Sequence, residues 1–140
     1  MTTKPKSTRR TLRVILDSNA LFVPIQLKID IFQELKALLN RNFEPVLLKP
    51  IQQELERLAR KGPPQTRKKA SYALKLAEQC RIVDVKEDAA SPDDIIVQTA
   101  SRWSCPVFTN DRELREKLRN INVPVIYVRQ KSRLEIDGRL

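Results

Sequence analysis

The apolar positions of this chain fall into short blocks, separated by longer stretches with helical spacing. Val14-Ile15-Leu16 is a β-branched-rich run, too short for a helix and suited to a strand buried on both faces. Comparable blocks recur at Val46-Leu47-Leu48, Ile82-Val83-Asp84-Val85, Pro106-Val107-Phe108-Thr109 and residues 123–128. Pro124 marks the last as an edge strand or its first residues. Between the blocks, Ile31, Leu35 and Leu38 stand at i, i+4 and i+7, with Phe32 and Leu39 widening the stripe, which predicts a helix over 24–40. Pro50 opens another, with Ile51, Leu55 and Leu58 inward. A third follows the Gly62-Pro63-Pro64 break and runs to about Cys80 with Ala70, Ala73, Leu74 and Ala77 inward. Ser91-Pro92-Asp93-Asp94 reads as a helix start, with a Ser cap, a first-turn Pro and acids answering the dipole. The last helix reaches about Asn120 with Leu114 and Leu118 inward.

Five strands alternating with helices predict an α/β fold, a three-layer α/β/α arrangement around a central, mostly parallel five-stranded sheet. No linker divides it. Residues 1–11 read as a flexible basic arm, 12–128 as the folded domain and 129–140 as a polar C-terminal tail.

Composition narrows the chemistry. The 140 residues fit one domain with a substantial core. No apolar run approaches the roughly 20 residues that span a bilayer. The N-terminus lacks the apolar core of a secretory signal, so a cytoplasmic location and no membrane partner are expected. Cys80 and Cys105 are expected as reduced thiols in or near the core. The chain has no histidine, which excludes Ser-His-Asp and Cys-His catalysis and the usual general base near neutral pH. Hydrolysis would have to rely on carboxylates, lysine or a metal held by oxygen. With 27 Lys and Arg against 17 Asp and Glu, the net charge of +10 points to a polyanionic partner, nucleic acid first.

The acids supply the candidate chemistry. Asp17 ends the first strand abruptly, and Asp111 follows the fourth. Glu54 lies in the helix after the second strand, Asp93 in the first turn of the helix before the fourth. All four belong to strand-to-helix connections, so the topology puts them on one edge of a parallel sheet, where open α/β folds bind ligands. Glu54 lies about 65° from the centre of its helix's apolar stripe and Glu56 nearly opposite it, so Glu54 is expected beside the packed face and Glu56 in water. Crowded carboxylates repel unless cations intervene, and an all-oxygen set suits Mg²⁺ or Mn²⁺. Each acid also has a structural reading. Asp93 and Asp94 are possible helix caps and Glu54 a solvated helix acid. Asn110 with Glu113 makes a capping box that leaves Asp111 an ordinary first-turn acid.

The segments Val14-Ile-Leu-Asp-Ser-Asn-Ala-Leu-Phe22, Pro50-Ile-Gln-Gln-Glu-Leu55, Asp93-Asp-Ile-Ile-Val-Gln-Thr-Ala100 and Val107-Phe-Thr-Asn-Asp111 resemble, in order, those of a PIN (PilT N-terminus) domain. The resemblance covers about residues 12–128 and is nearest the archaeal relatives of pre-ribosomal-RNA processing endonucleases. It implies a PIN-like fold and an endoribonuclease using one or two Mg²⁺ or Mn²⁺ ions. Asp17, Glu54, Asp93 and Asp111 carry over as the metal-holding, catalytic carboxylates, with Asp94 an alternative sharer of the third role. Ser18, Asn19, Thr109 and Asn110 carry over as supporting residues. Where much of the family reads Asp-Thr, this chain reads Asp17-Ser18-Asn19, which keeps a hydroxyl. The resemblance further implies a water nucleophile, 5′-phosphate and 3′-hydroxyl products and a possible homodimer; the zinc-binding module of some processing relatives is not expected.

For RNA contact, Lys61, Arg67, Lys68 and Lys69 around the Gly-Pro-Pro break come first, and Arg9 and Arg10 second, with a solvated helix face the alternative. Ribosomal RNA precursor is the expected target. Competing functions are a toxin-type PIN ribonuclease and a non-catalytic RNA-binding ribosome assembly factor. A haloacid-dehalogenase-like phosphatase needs an Asp two residues after the first, where this chain has Asn19.

Overall fold

A computed structural model describes residues 11–86 and 91–140. Its sheet has six strands: β1 (Leu12–Leu16), β2 (Phe43–Leu48), β3 (Arg81–Val83), β4 (Val107–Phe108), β5 (Val125–Arg129) and β6 (Arg133–Asp137), in the spatial order β3-β2-β1-β4-β5-β6. β1 to β5 are parallel and β6 pairs antiparallel with β5. The helices are α1 (Val23–Leu27), which continues a 3₁₀ turn over Ser18–Phe22, then α2 (Ile31–Leu39), α3 (Lys49–Lys61), α4 (Pro64–Ala77), α5 (Pro92–Trp103) and α6 (Arg112–Asn120). The architecture is the α/β fold with a mostly parallel central sheet that the alternating pattern predicts.

The chain leaves β1 to one side for β2 and β3, then crosses to the other side for β4 and β5. Right-handed crossovers therefore put α1–α4 on one face and α5–α6 on the other. The reversal makes the carboxyl ends of β1 and β4 the switch point where a crevice opens. Both strands reach that point inside the core. Ile15, Leu16, Val107 and Phe108 are fully buried, as are Val46, Leu47 and Leu48 of β2. A fully buried aliphatic or Phe side chain contributes about 1.5–3 kcal/mol, so Phe108 helps anchor a strand of only two residues.

Four expectations change. The sheet has six strands rather than five, because residues in the expected polar tail form β6. There Leu134 is buried and Ile136 packs against the core, at alternating positions of an otherwise charged strand. The helix expected over 24–40 is split: Lys28 takes a left-handed conformation (φ 58°) and Asp30 caps a new helix by accepting from the Gln33 N–H at 3.2 Å. The helix expected to run to about Cys80 ends at Ala77. Glu54 and Glu56 are both half-exposed rather than sharply divided. Cys80 and Cys105 are free and buried, and burial pushes both thiols up to about 12. Among the described residues, no helix is long and apolar enough to cross a membrane.

Candidate active site

Asp17 is the buried member of the site, 6% exposed at the end of β1. Its backbone N–H donates to the Phe108 carbonyl (3.0 Å), which ties the ends of β1 and β4 together. Three donors hold its carboxylate. The Ser18 backbone N–H reaches Oδ1 at 2.8 Å, while Asn19 Nδ2 and Thr109 Oγ1 reach Oδ2 at 3.1 and 2.7 Å. Asn19 also spans the crevice, since its Oδ1 accepts from the Asn110 N–H at 3.0 Å. Thr109, fully buried, completes the frame: its Oγ1 accepts from the Asp111 N–H at 3.1 Å.

Asp111 caps α6. Its Oδ1 accepts from the Glu113 and Leu114 N–H groups at 2.9 and 3.2 Å. The capping box from Asn110 is therefore replaced by a cap one residue later. Asn110 is drawn instead to β5, where its Oδ1 accepts from the Val128 N–H at 2.8 Å. Asp93 stands in the first turn of α5, which Ser91 caps by accepting from the Asp94 N–H at 3.2 Å.

The electrostatics group three of these acids. Burial raises the Asp17 carboxyl above its ordinary value, opposed by its Thr109 and Ser18 hydrogen bonds, and the charges of Asp93 and Asp111 push it further up. Asp93 is raised by partial burial first and then by Asp111, with Asp94 and Glu113 adding to the rise and Lys117 opposing it. Asp17, Asp93 and Asp111 thus lie within electrostatic reach of one another. Glu54 stands apart. Its carboxylate takes a two-point grip from Arg57 one helical turn on, at 3.2 and 2.6 Å, and that partner holds it below its ordinary value.

Sequence reasoning missed Glu113 and Lys117 as neighbours of Asp93. Their spacing of four residues puts them on one face of α6, but only the packing of α5 against α6 shows what that face meets. Lys61, Arg67 and Lys68 are exposed and Lys69 half-buried, at the α3–α4 junction. Arg9 and Arg10 lie outside the described residues.

A divalent ion is tested by the donor chemistry. The set is entirely oxygen, and a buried carboxylate with two like charges beside it is relieved by a cation, so the residues fit a hard metal ion. As the side chains stand, no three His, Cys, Asp or Glu among the described residues converge closely enough to hold one.

Comparisons with known proteins bear on the family and the fold. A family model described as a PIN like domain matches residues 14–131. Ribonuclease VapC4 of Methanocaldococcus jannaschii is 37% identical over 129 residues, spanning 90% of this chain and 97% of its own length. The rRNA-processing protein FCF1 of Saccharomyces cerevisiae is 30% identical over 120 residues, spanning 83% of this chain and 59% of the yeast protein. The solved structure of the PIN domain endonuclease Utp24 superposes with a TM-score of 0.77 at 27% identity, covering 91% of this chain and 92% of that one. The chain therefore belongs to the PIN-domain ribonuclease family, which has archaeal members.

Proposed function

We propose that the protein is a metal-dependent endoribonuclease that hydrolyses RNA phosphodiester bonds during ribosomal RNA processing. The observation that carries this reading is Asp17: a buried carboxylate, pinned by three donors at the switch point, with Asp93 and Asp111 raising its proton affinity. A purely structural residue at that place has little reason to be an acid.

Asp17, Asp93 and Asp111 are the residues that would hold Mg²⁺ or Mn²⁺, with Glu54 joining if it leaves Arg57 and Asp94 available beside Asp93. An ion there supplies charge neutralisation at the scissile phosphate and a more acidic water. The chain's own part is positional. Thr109 fixes the Asp17 carboxylate from the β4 side of the crevice, and the Asn19 side chain and Ser18 N–H fix it from its own side. Both cap bonds of Asp111 fall on Oδ1. Water oxygen attacks phosphorus and the bond to the 3′ oxygen breaks, leaving a 5′-phosphate and a 3′-hydroxyl.

Ribosomal RNA is favoured as the target by the net charge of +10 and by similarity to a protein named for rRNA processing. A ribonuclease with a different RNA target, such as the toxin-type reading, draws on the higher identity and nearly full-length match to ribonuclease VapC4.

The test is incubation with structured ribosomal precursor fragments and with unrelated RNAs, in Mn²⁺, Mg²⁺ or EDTA, with product ends mapped. Metal-dependent cutting confined to the ribosomal fragments supports the proposal. Cutting confined to other RNAs supports the second reading. Binding without cutting in either metal moves the assembly-factor reading ahead.

A further inference from the structure

Next to the carboxylate crevice lies a second, differently charged concavity. A pocket of about 370 Å³ opens between the start of α6 and the β5–β6 hairpin, and Thr109 and Asn110 form its wall toward the acids. Its other walls include Arg112, Arg115, Tyr127 and Arg129. The sequence of α6 explains the juxtaposition. Glu113 and Lys117, four apart, face Asp93. Arg112, Arg115 and Arg119 follow the i, i+3, i+7 spacing of another face, and Arg115 and Arg119 both reach Asp137 on β6, at 3.0 and 3.2 Å.

The charges on this face do not cancel. Asp137 is shared by Arg115 and Arg119, and Glu135 by Arg129 and Arg133 at 3.3 and 3.1 Å. Arg112 is exposed at the pocket's mouth. Each carboxylate thus answers two guanidiniums. Arg115 is also braced: its guanidinium stacks on the Tyr127 ring, 3.8 Å from the centroid, which fixes its plane. The turn is unusual too, with Gln130 and Lys131 both left-handed (φ 55° and 58°), a conformation side-chain-bearing residues rarely take in succession.

We propose that the pocket lined by Asn110, Arg112, Arg115, Tyr127 and Arg129 is a phosphate subsite that grips the backbone of single-stranded RNA on one side of the scissile bond. The inference rests on the nuclease reading for its orientation. A chain of phosphodiesters fits a carboxylate crevice that shares a wall with an excess of guanidiniums. Arginine's planar fork suits phosphate oxygens, the part of the strand that carries its charge. Asn110 joins the two halves, because its backbone N–H bonds Asn19 in the crevice while its side chain holds β5 at Val128.

The test is binding of a short single-stranded RNA in EDTA over a salt series, comparing wild type, the double variant Arg112→Gln/Arg129→Gln, and Lys68→Gln/Lys69→Gln. Both arginines are exposed and Arg133 still holds Glu135, so the double variant should fold; Arg112→Lys, which keeps the charge, serves as a second check. The double variant should bind at least fivefold more weakly, with the slope of log affinity against log salt flattened by about 0.7 for each phosphate no longer neutralised. Arg112→Lys should keep most of the slope. Unchanged affinity and slope in the double variant would overturn the subsite, as would a weakening confined to the Lys68/Lys69 variant. An equal weakening toward an acidic peptide competitor would also overturn it, in favour of a protein partner. Metal is absent throughout, so failure of the nuclease reading shows separately, as intact RNA when Mn²⁺ is restored to wild type.

Discussion

Thr109 Oγ1 donates a 2.7 Å hydrogen bond to Asp17 Oδ2 across 92 positions of sequence, and the same oxygen accepts from the Asp111 N–H. One buried hydroxyl therefore ties the Asp17 carboxylate to the backbone of Asp111. It lowers the proton affinity of Asp17 against the effect of burial. The geometry of the site depends on how β4 ends as much as on the acids themselves.

Thr109→Val removes that hydroxyl while keeping the branched shape. The Asp17 carboxylate and the Asp111 N–H each lose a partner, at a cost of about 1–3 kcal/mol for buried polar groups left unpaired. Urea unfolding should report that destabilisation. Because the hydrogen bond lowers the Asp17 value, the acid limb of any cleavage–pH profile should move to higher pH. An unmoved limb would mean that Thr109 does not govern the protonation of Asp17.

Asp17 should be a site where function costs stability. Its raised carboxyl binds a proton more tightly in the native state than in the unfolded chain, whose ordinary value is 3.8. The fold therefore gains stability as pH falls from neutral through the raised native value, and the gain is complete below 3.8. Asp17→Asn removes the buried charge and should stabilise the fold in EDTA at neutral pH by about 1 kcal/mol, seen as a higher melting temperature. The gap from wild type should narrow as the solution is made more acidic. Mn²⁺ should stabilise wild type but not the variant. A variant less stable than wild type at neutral pH would contradict this view of Asp17.

Glu54 would have to leave Arg57 to join the proposed site. The pair is half-exposed, with 40% of the Glu54 and 53% of the Arg57 side chain accessible, so solvent screens it and breaking it should cost little stability. Arg57→Ala should therefore leave the melting temperature nearly unchanged and tighten Mn²⁺ binding, while Glu54→Gln weakens it. If calorimetric Mn²⁺ titrations of the two variants match wild type, Glu54 is a helix-surface acid and the ion is held without it.

The basic α3–α4 junction is a separate candidate for RNA binding. Neutralising Lys61, Arg67 and Lys68 together should lower RNA affinity and flatten its salt dependence by about 0.7 for each phosphate of single-stranded RNA that they neutralise. A filter-binding series with an unaltered slope would remove these residues from the interface and leave them a solvated helix surface.

Much of this site was legible because its parts are local. An apolar strand that stops at Asp17, and a Ser-Pro-Asp helix start at Asp93, each announce themselves within a few residues, and alternation of strands and helices then brings them to one sheet edge. What stayed hidden depends on tertiary partners. Asn110-x-x-Glu113 fits a capping box by spacing, but a backbone N–H on β5 takes the Asn110 side chain and Asp111 caps the helix instead. β6 presents only Leu134 and Ile136 to the core among charged neighbours, a period of two easily read as a tail. The Glu54–Arg57 spacing was visible, but spacing alone does not say whether an acid faces a partner on its own helix or a crevice beyond it.

The most direct measurement is the single-turnover rate of cutting a structured ribosomal RNA fragment in saturating Mn²⁺, for wild type and Asp17→Asn purified identically. Wild type should cut in a metal-dependent way and the variant at least a hundredfold more slowly, with RNA affinity in EDTA retained. Cutting that survives the substitution would place the chemistry elsewhere and contradict the assignment of Asp17 to the catalytic centre.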